Sequence, residues 1–181
     1  SDYRKEFWNG EGLPPSGYDI ISQWIGNVAH IDLENNHLET RPWELSSIGF
    51  FVVRTGNKIP TYLHLREIAE KNLSPLSQIS RSGIDSFRSG DGISFVRAVK
   101  EFDSALEKLN LCCDHTRELK QHISNQIPAL AVKGCGALGA DTVLAFVARD
   151  EREFAKSKLK ELGLDIVASD LEIDSGWKIE I

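Results

Sequence analysis

The hydrophobic spacing of this chain changes twice along its length, and that change limits the folds open to it. From Val28 to Leu33 and from Ile48 to Arg54 the residues are apolar and β-branched, which is strand composition. A weaker strand pattern covers His37–Arg41, and Asn35-Asn36 supplies a turn, so three antiparallel strands in a row are predicted over 28–54. From 61 to 126 the period lengthens to three and four residues. Ile93, Val96, Val99, Phe102, Leu106 and Leu109 form one stripe, the expected buried face of a long helix. Leu63, Ile68 and Ala69 continue the pattern less sharply, as do Leu119 and Ile123. Strands then return at Ala129–Val132, Thr142–Ala148, Asp165–Ala168 and Trp177–Ile181, with one helix over Glu151–Leu162 that stops at Gly163. The order β-β-β, helices, β, β, α, β, β predicts an α+β sandwich, an antiparallel sheet with helices on one face.

A chain of 181 residues has room for one compact domain with a real core. Within it, residues 1–25 read as a turn-rich loop leading into a short helix built on Ile20, Ile21, Trp24 and Ile25, and 26–181 as the sandwich. The net charge is −6 and no run of basic residues occurs, which argues against nucleic acid and anionic membrane surfaces as partners. The longest apolar runs are strand-sized, too short to span a bilayer. Cys112, Cys113 and Cys135 form neither a disulfide framework nor a zinc spacing, and no metal site is expected. Free thiols and a start without signal-peptide character point to the cytoplasm. The chain has no methionine and begins at Ser1, which fits a processed start, a tag remnant or a cut in a longer protein.

Two glycine-containing segments could carry chemistry. In Pro14-Pro15-Ser16-Gly17-Tyr18-Asp19 a carboxylate stands at a helix start beside a small hydroxyl and a glycine. Such a carboxylate can take the proton of an alcohol as that alcohol attacks a phosphoryl group, or Ser16 or Asp19 can simply cap the helix. In Lys133-Gly134-Cys135-Gly136-Ala137-Leu138-Gly139-Ala140-Asp141, between two strands, the glycines either free backbone N–H groups for a phosphate or close a tight turn. Gly134, Gly136 and Gly139 also spell G-x-G-x-x-G. A strand rather than a helix follows, the acidic residues after the later strand, Asp170 and Glu172, lie too far along, and few residues remain to complete such a sheet, so dinucleotide binding is rejected.

Taken together and in this order, these segments resemble the GHMP kinase superfamily, which phosphorylates small alcohols and acids. Pro15-Ser16-Gly17-Tyr18-Asp19 is similar to the family's P-S-G-x-D element, which is likewise followed by a helix ending in glycine. Ile48–Arg54 with Thr55-Gly56-Asn57-Lys58-Ile59-Pro60-Thr61 resembles the strand and loop of mevalonate and phosphomevalonate kinases that end in a threonine before a helix. Lys133–Asp141 resembles the glycine loop K-x-x-G-A-G-G-G-D, with Gly136, Ala137, Gly139 and Asp141 in register and Leu138 and Ala140 in place of glycines.

The resemblance implies the C-terminal, ferredoxin-like domain of such a kinase. Asp19 becomes the catalytic base, Ser16, Gly17 and Thr61 the substrate side, and Gly136, Ala137, Gly139 and Asp141 the phosphate-side loop. It implies ATP and Mg2+ as cofactors of the complete kinase. The family's nucleotide loop, P-x-x-x-G-L-G-S-S-A, does not occur in the 181 residues. The chain is therefore expected to bind no cofactor tightly by itself and to be inactive without an N-terminal half. Phe7, Trp8, Ile21 and Trp24 would face that half or a second copy. The alternative is a non-catalytic domain of the same fold that binds a small molecule or a protein.

Overall fold

A computed structural model of the protein describes residues 17–32, 35–57, 59, 68 and 71–176. The described residues fall into two compact units, one of residues 17–44 with 172–176, the other Leu45–Leu171. The strand expected over Trp177–Ile181 and most of the helical pattern over 61–73 lie outside the described residues.

The first unit holds helix α1, Tyr18–Ile25, and a hairpin of β1, Val28–Asp32, with β2, His37–Arg41. The hairpin is antiparallel from Val28↔Arg41 to Asp32↔His37. Its turn follows from local chemistry. Asn36 takes the left-handed conformation at φ 49°, and the Asp32 carboxylate accepts from the Asn35 backbone and side chain. Between α1 and β1, Asn27 donates its backbone N–H to the Asp174 carbonyl at 2.6 Å. Gly26 and Gly176 lie so close that a Cβ on Gly26 would come within 2.0 Å of the Gly176 nitrogen. Glycine at 26 is thus fixed by a backbone approach as well as by the end of the helix.

The second unit is a four-stranded antiparallel sheet in the order β4-β5-β3-β6, where β3 is Ile48–Arg54, β4 Ala129–Cys135, β5 Thr142–Ala148 and β6 Ile166–Ser169. Helices α2 (Ser74–Arg88), α3 (Gly92–Lys108), α4 (Asp114–Gln126) and α5 (Arg152–Glu161) pack around it. The α+β class with antiparallel sheets is what the sequence predicts. The predicted run of three antiparallel strands is corrected: β1 and β2 pair only with each other among the described residues, while β3 pairs with β5 and β6. An inner strand must be apolar on both faces, and Ile-Gly-Phe-Phe-Val-Val meets that demand. His-Leu-Glu-Thr-Arg, polar and largely exposed, does not.

Alternation along β3 and β5 separates two layers of packing. Phe51 and Val53 of β3 and Val143, Ala145 and Val147 of β5 are fully buried against Ile123 of α4 and Ala155 and Leu159 of α5. Each large aliphatic group in that layer contributes about 1.5–3 kcal/mol through burial. The other face is covered too: Phe146 and Phe50 stack at 5.8 Å, Phe146 meets Phe95 of α3, and Phe95 meets Phe87 of α2. α3 starts on Asp91, whose carboxylate accepts from the Ser94 N–H at 3.0 Å; hydrogen bonding to the Ser94 side chain first, and this capping bond second, lowers the Asp91 pKa. Its stripe is buried at Val96, but Ile93 is 85% exposed. At the start of α3 the buried contact falls instead on Gly92, where a Cβ would lie 2.7 Å from Ile48.

Asp170, just past β6, is almost wholly buried. It accepts from the Phe50 N–H at 3.1 Å and from Arg149 at 2.5 Å, while Arg152 lies over the Phe51 ring. This charge cluster ties the β6 end of the sheet to the strand beside it. No helix among the described residues is long and apolar enough to cross a membrane.

Candidate functional site

The two candidate segments belong to different units. In the first, α1 begins at Tyr18 with Gly17 as its N-cap, in the left-handed conformation at φ 78°. Asp19 therefore does not occupy the cap position. Asp19 is the second helical residue, where an acidic group suits the positive end of the helix. Gly17 is needed for its backbone angle: among the described residues a Cβ there would meet nothing within 4 Å, so the requirement is conformational. Along α1, Ile21 and Ile25 are half-buried, while Ile20 and Trp24 are exposed, Trp24 by 62%. Ser16 and Thr61 lie outside the described residues.

In the second unit the glycine loop joins β4 to β5 and closes on itself. Asp141 donates its N–H to the Cys135 carbonyl at 3.1 Å, Gly139 to Gly136 at 3.0 Å and Ala140 to Ala137 at 3.0 Å. Three positive φ angles make the turn: Gly136 at 83°, Leu138 at 51° and Gly139 at 69°. Gly134 and Gly139 face each other, since a Cβ on Gly134 would stand 3.0 Å from the Gly139 Cα and 2.8 Å from the Thr116 methyl. A Cβ on Gly136 would strike the Asp141 carboxylate at 2.3 Å. Gly134, Gly136 and Gly139 thus answer to close packing within the loop.

The loop's carbonyls turn toward the protein and are anchored there. Leu138 accepts from the Cys113 N–H at 3.0 Å and Gly139 from the Thr116 hydroxyl at 3.1 Å. Ala140 and Asp141 accept from the Thr55 hydroxyl, and Asp141 from the Thr55 N–H at 3.3 Å as well. His115 reaches the Thr55 carbonyl at 3.1 Å. Among the described residues no carbonyl accepts from the N–H groups of Gly136, Ala137 and Leu138. One Asp141 carboxylate oxygen, Oδ1, is buried without a hydrogen-bond partner.

The roles of Thr55 and Thr116 as anchors of the glycine loop escaped the sequence reading. A threonine just past a strand and one in the first turn of a helix carry little local signal, and their roles arise only when β3 and α4 are brought to the loop. Cys135 is half-buried in the loop, and burial pushes the thiol of Cys112, in the connection between α3 and α4, above its ordinary pKa, so Cys112 is a poor nucleophile.

No protein-family model matches the chain. No curated protein matches it either. Solved structures do. Mevalonate kinase of L. major, in complex with R-mevalonate, superposes with a TM-score of 0.68 at 17% identity, over 84% of this chain and 50% of that one. Phosphomevalonate kinase of Streptococcus pneumoniae gives 0.61 at 18% identity, over 74% of this chain and 42% of that one. Galactokinase of Lactococcus lactis, complexed with galactose, gives 0.59 at 13% identity, over 84% and 52%. These are all GHMP kinases. The chain has the GHMP-kinase fold. It spans about half the length of these GHMP kinases or less. The likeness is one of fold; what each GHMP kinase binds belongs to that protein, as with the pneumococcal enzyme that holds phosphomevalonate and AMPPNP in a second structure.

Proposed function

We propose that this chain is the C-terminal, substrate-side part of an ATP-dependent small-molecule kinase that works with an N-terminal half carrying the nucleotide loop. The observation that carries this reading is the coincidence of the GHMP fold with a P-S-G-x-D element whose Gly17 opens α1 in the left-handed conformation. Asp19, one residue past the first helical position, serves as the base that takes the proton of the acceptor hydroxyl. Ser16, Gly17 and Thr61 line the acceptor side. Gly136, Ala137, Gly139 and Asp141 form the phosphate-side turn, and the donors of Gly136, Ala137 and Leu138 suit a phosphate oxygen. ATP with Mg2+ supplies the transferred phosphoryl group in the complete enzyme. The acceptor is a small alcohol or phosphate, and the working compartment is the cytoplasm.

A second reading has an observation of its own. Leu138 holds a left-handed conformation where the family's loop has glycine, and its side chain narrows the approach to the turn. A domain that kept the fold and binds a small molecule or a protein without catalysis would tolerate that substitution.

Calorimetry with Mg-ATP separates the requirement for a second half from self-sufficiency. The isolated chain is expected to show no micromolar binding, because the backbone donors of the nucleotide loop are supplied elsewhere. A micromolar dissociation constant for the chain alone would contradict the proposal.

A further inference from the structure

The hairpin of the first unit brings together three side chains of metal-ligating type. His30 on β1 stands directly opposite Glu39 on β2, and His37 lies two residues before Glu39. Residues two apart on a strand share a face, so His30, His37 and Glu39 project from one side of the hairpin. The Nδ1 of His30 is 3.9 Å and the Nε2 of His37 3.5 Å from the same Glu39 oxygen, Oε2. All three donor atoms fall within 4.8 Å of one another, and the imidazole rings meet edge to face at 5.5 Å.

The second Glu39 oxygen, Oε1, accepts from the Arg41 Nε at 2.5 Å. One carboxylate oxygen is thus held by an outer partner and the other is presented to both imidazoles, the arrangement that orients ligands in metal sites. A tetrahedral zinc ion with ligands at about 2.0–2.1 Å places its donors about 3.3 Å apart. The donors here are already close to that spacing, and side-chain rotation of three partly exposed residues closes the difference. Two imidazoles with one carboxylate favour zinc or a neighbouring transition metal over magnesium or calcium, which take oxygen ligands.

We propose that His30, His37 and Glu39 bind one zinc ion across the β1–β2 hairpin, with the fourth position open to water or an added ligand. A two-stranded hairpin is marginal by itself, and an ion shared between its strands fixes their register. The site is independent of the phosphoryl-transfer reading and stands or falls without it.

Zinc titration of the untagged chain against a chromophoric chelator tests this. The expected result is saturable binding of one zinc ion per chain, weakened at least about tenfold by His30→Gln and by His37→Gln. His37 is half-exposed, so His37→Gln should fold normally, and its unchanged circular dichroism checks that. Cobalt(II) substitution reads the donors directly: nitrogen and oxygen ligands give no thiolate-to-metal charge-transfer band. Absence of one-to-one binding, binding that both glutamine variants retain in full, or a thiolate band from a cysteine would each overturn the proposal.

Discussion

The hydroxyl of Thr116 donates to the carbonyl oxygen of Gly139 at 3.1 Å in a contact closed to solvent. The same hydroxyl lies 3.1 Å from the Cys113 sulfur, which can donate to it in turn. The first turn of α4 thereby fixes the glycine loop from behind, while the loop's own bonds fix it from within. Thr116→Val keeps the shape but leaves a buried carbonyl without its donor. It is expected to lower stability by about 1–3 kcal/mol, read from urea midpoints, with Thr116→Ser much closer to wild type.

Gly136 tests the loop in another way. At φ 83° and ψ −169° Gly136 lies in a region that is essentially restricted to glycine, so an alanine there costs about 1–3 kcal/mol for its backbone conformation alone. Here its Cβ would also collide with the Asp141 carboxylate, whereas at Gly17 a Cβ meets none of the described residues within 4 Å. Gly136→Ala should therefore destabilise the protein clearly more than Gly17→Ala, through that contact and because Gly17, at φ 78° and ψ 1°, lies in the left-handed helical region that other residues can enter. Paired thermal melts check the order, and equal losses would contradict it.

The strands and helices that meet in the second unit were largely legible because periodicity reports burial. Phe51, Val53, Val143 and Val147 read as strand core, and Val96 as helix core. Pairing was harder to read. Nothing local in Val28–Asp32 or His37–Arg41 says that they form a separate hairpin, and the decisive fact is that β3, apolar on both faces, takes the inner place beside β5 and β6. Ile93 misled because a stripe of apolar residues does not say where along a helix the contact begins. The glycine loop was recognisable from its composition. Its anchors at Thr55 and Thr116 were not, since they come from β3 and α4, remote in sequence. Gly17 was legible as a special position, but as a loop residue beside a cap rather than as the cap itself.

Lys120 carries a pH-dependent share of the stability. It is almost fully buried and donates to both Asp103 and Glu107. Burial is the largest single influence and pulls its pKa down, yet the hydrogen bonds to the two carboxylates together outweigh it and the pKa ends above that of an ordinary lysine. A folded-state pKa above the unfolded value of about 10.4 means that this contribution is present in full below that pH and lost as pH rises through the folded value. Lys120→Met, which strands two carboxylates, should cost about 3–5 kcal/mol near neutral pH. The gap between wild type and variant should hold steady to about pH 9 and narrow above about pH 10.4. Denaturant titrations across that range measure it; a gap that widens in alkali would contradict the assignment.

The measurement closest to the central claim is phosphorylation of small acceptors by a kinase reconstituted from this chain and an N-terminal half that carries the nucleotide loop. Mevalonate, phosphomevalonate, galactose and homoserine, the acceptors of kinases sharing the fold, make a suitable first panel. With Mg-ATP the wild-type pair should turn over one class of acceptor, and Asp19→Asn should slow it about 10²–10⁴-fold. The melting temperature should stay nearly unchanged, because asparagine keeps the size and the acceptor oxygen but cannot take the proton. A reconstituted kinase that carries Asp19→Asn and phosphorylates its acceptor at the wild-type rate would contradict the account, leaving Asp19 a helix-start residue and the glycine loop a turn.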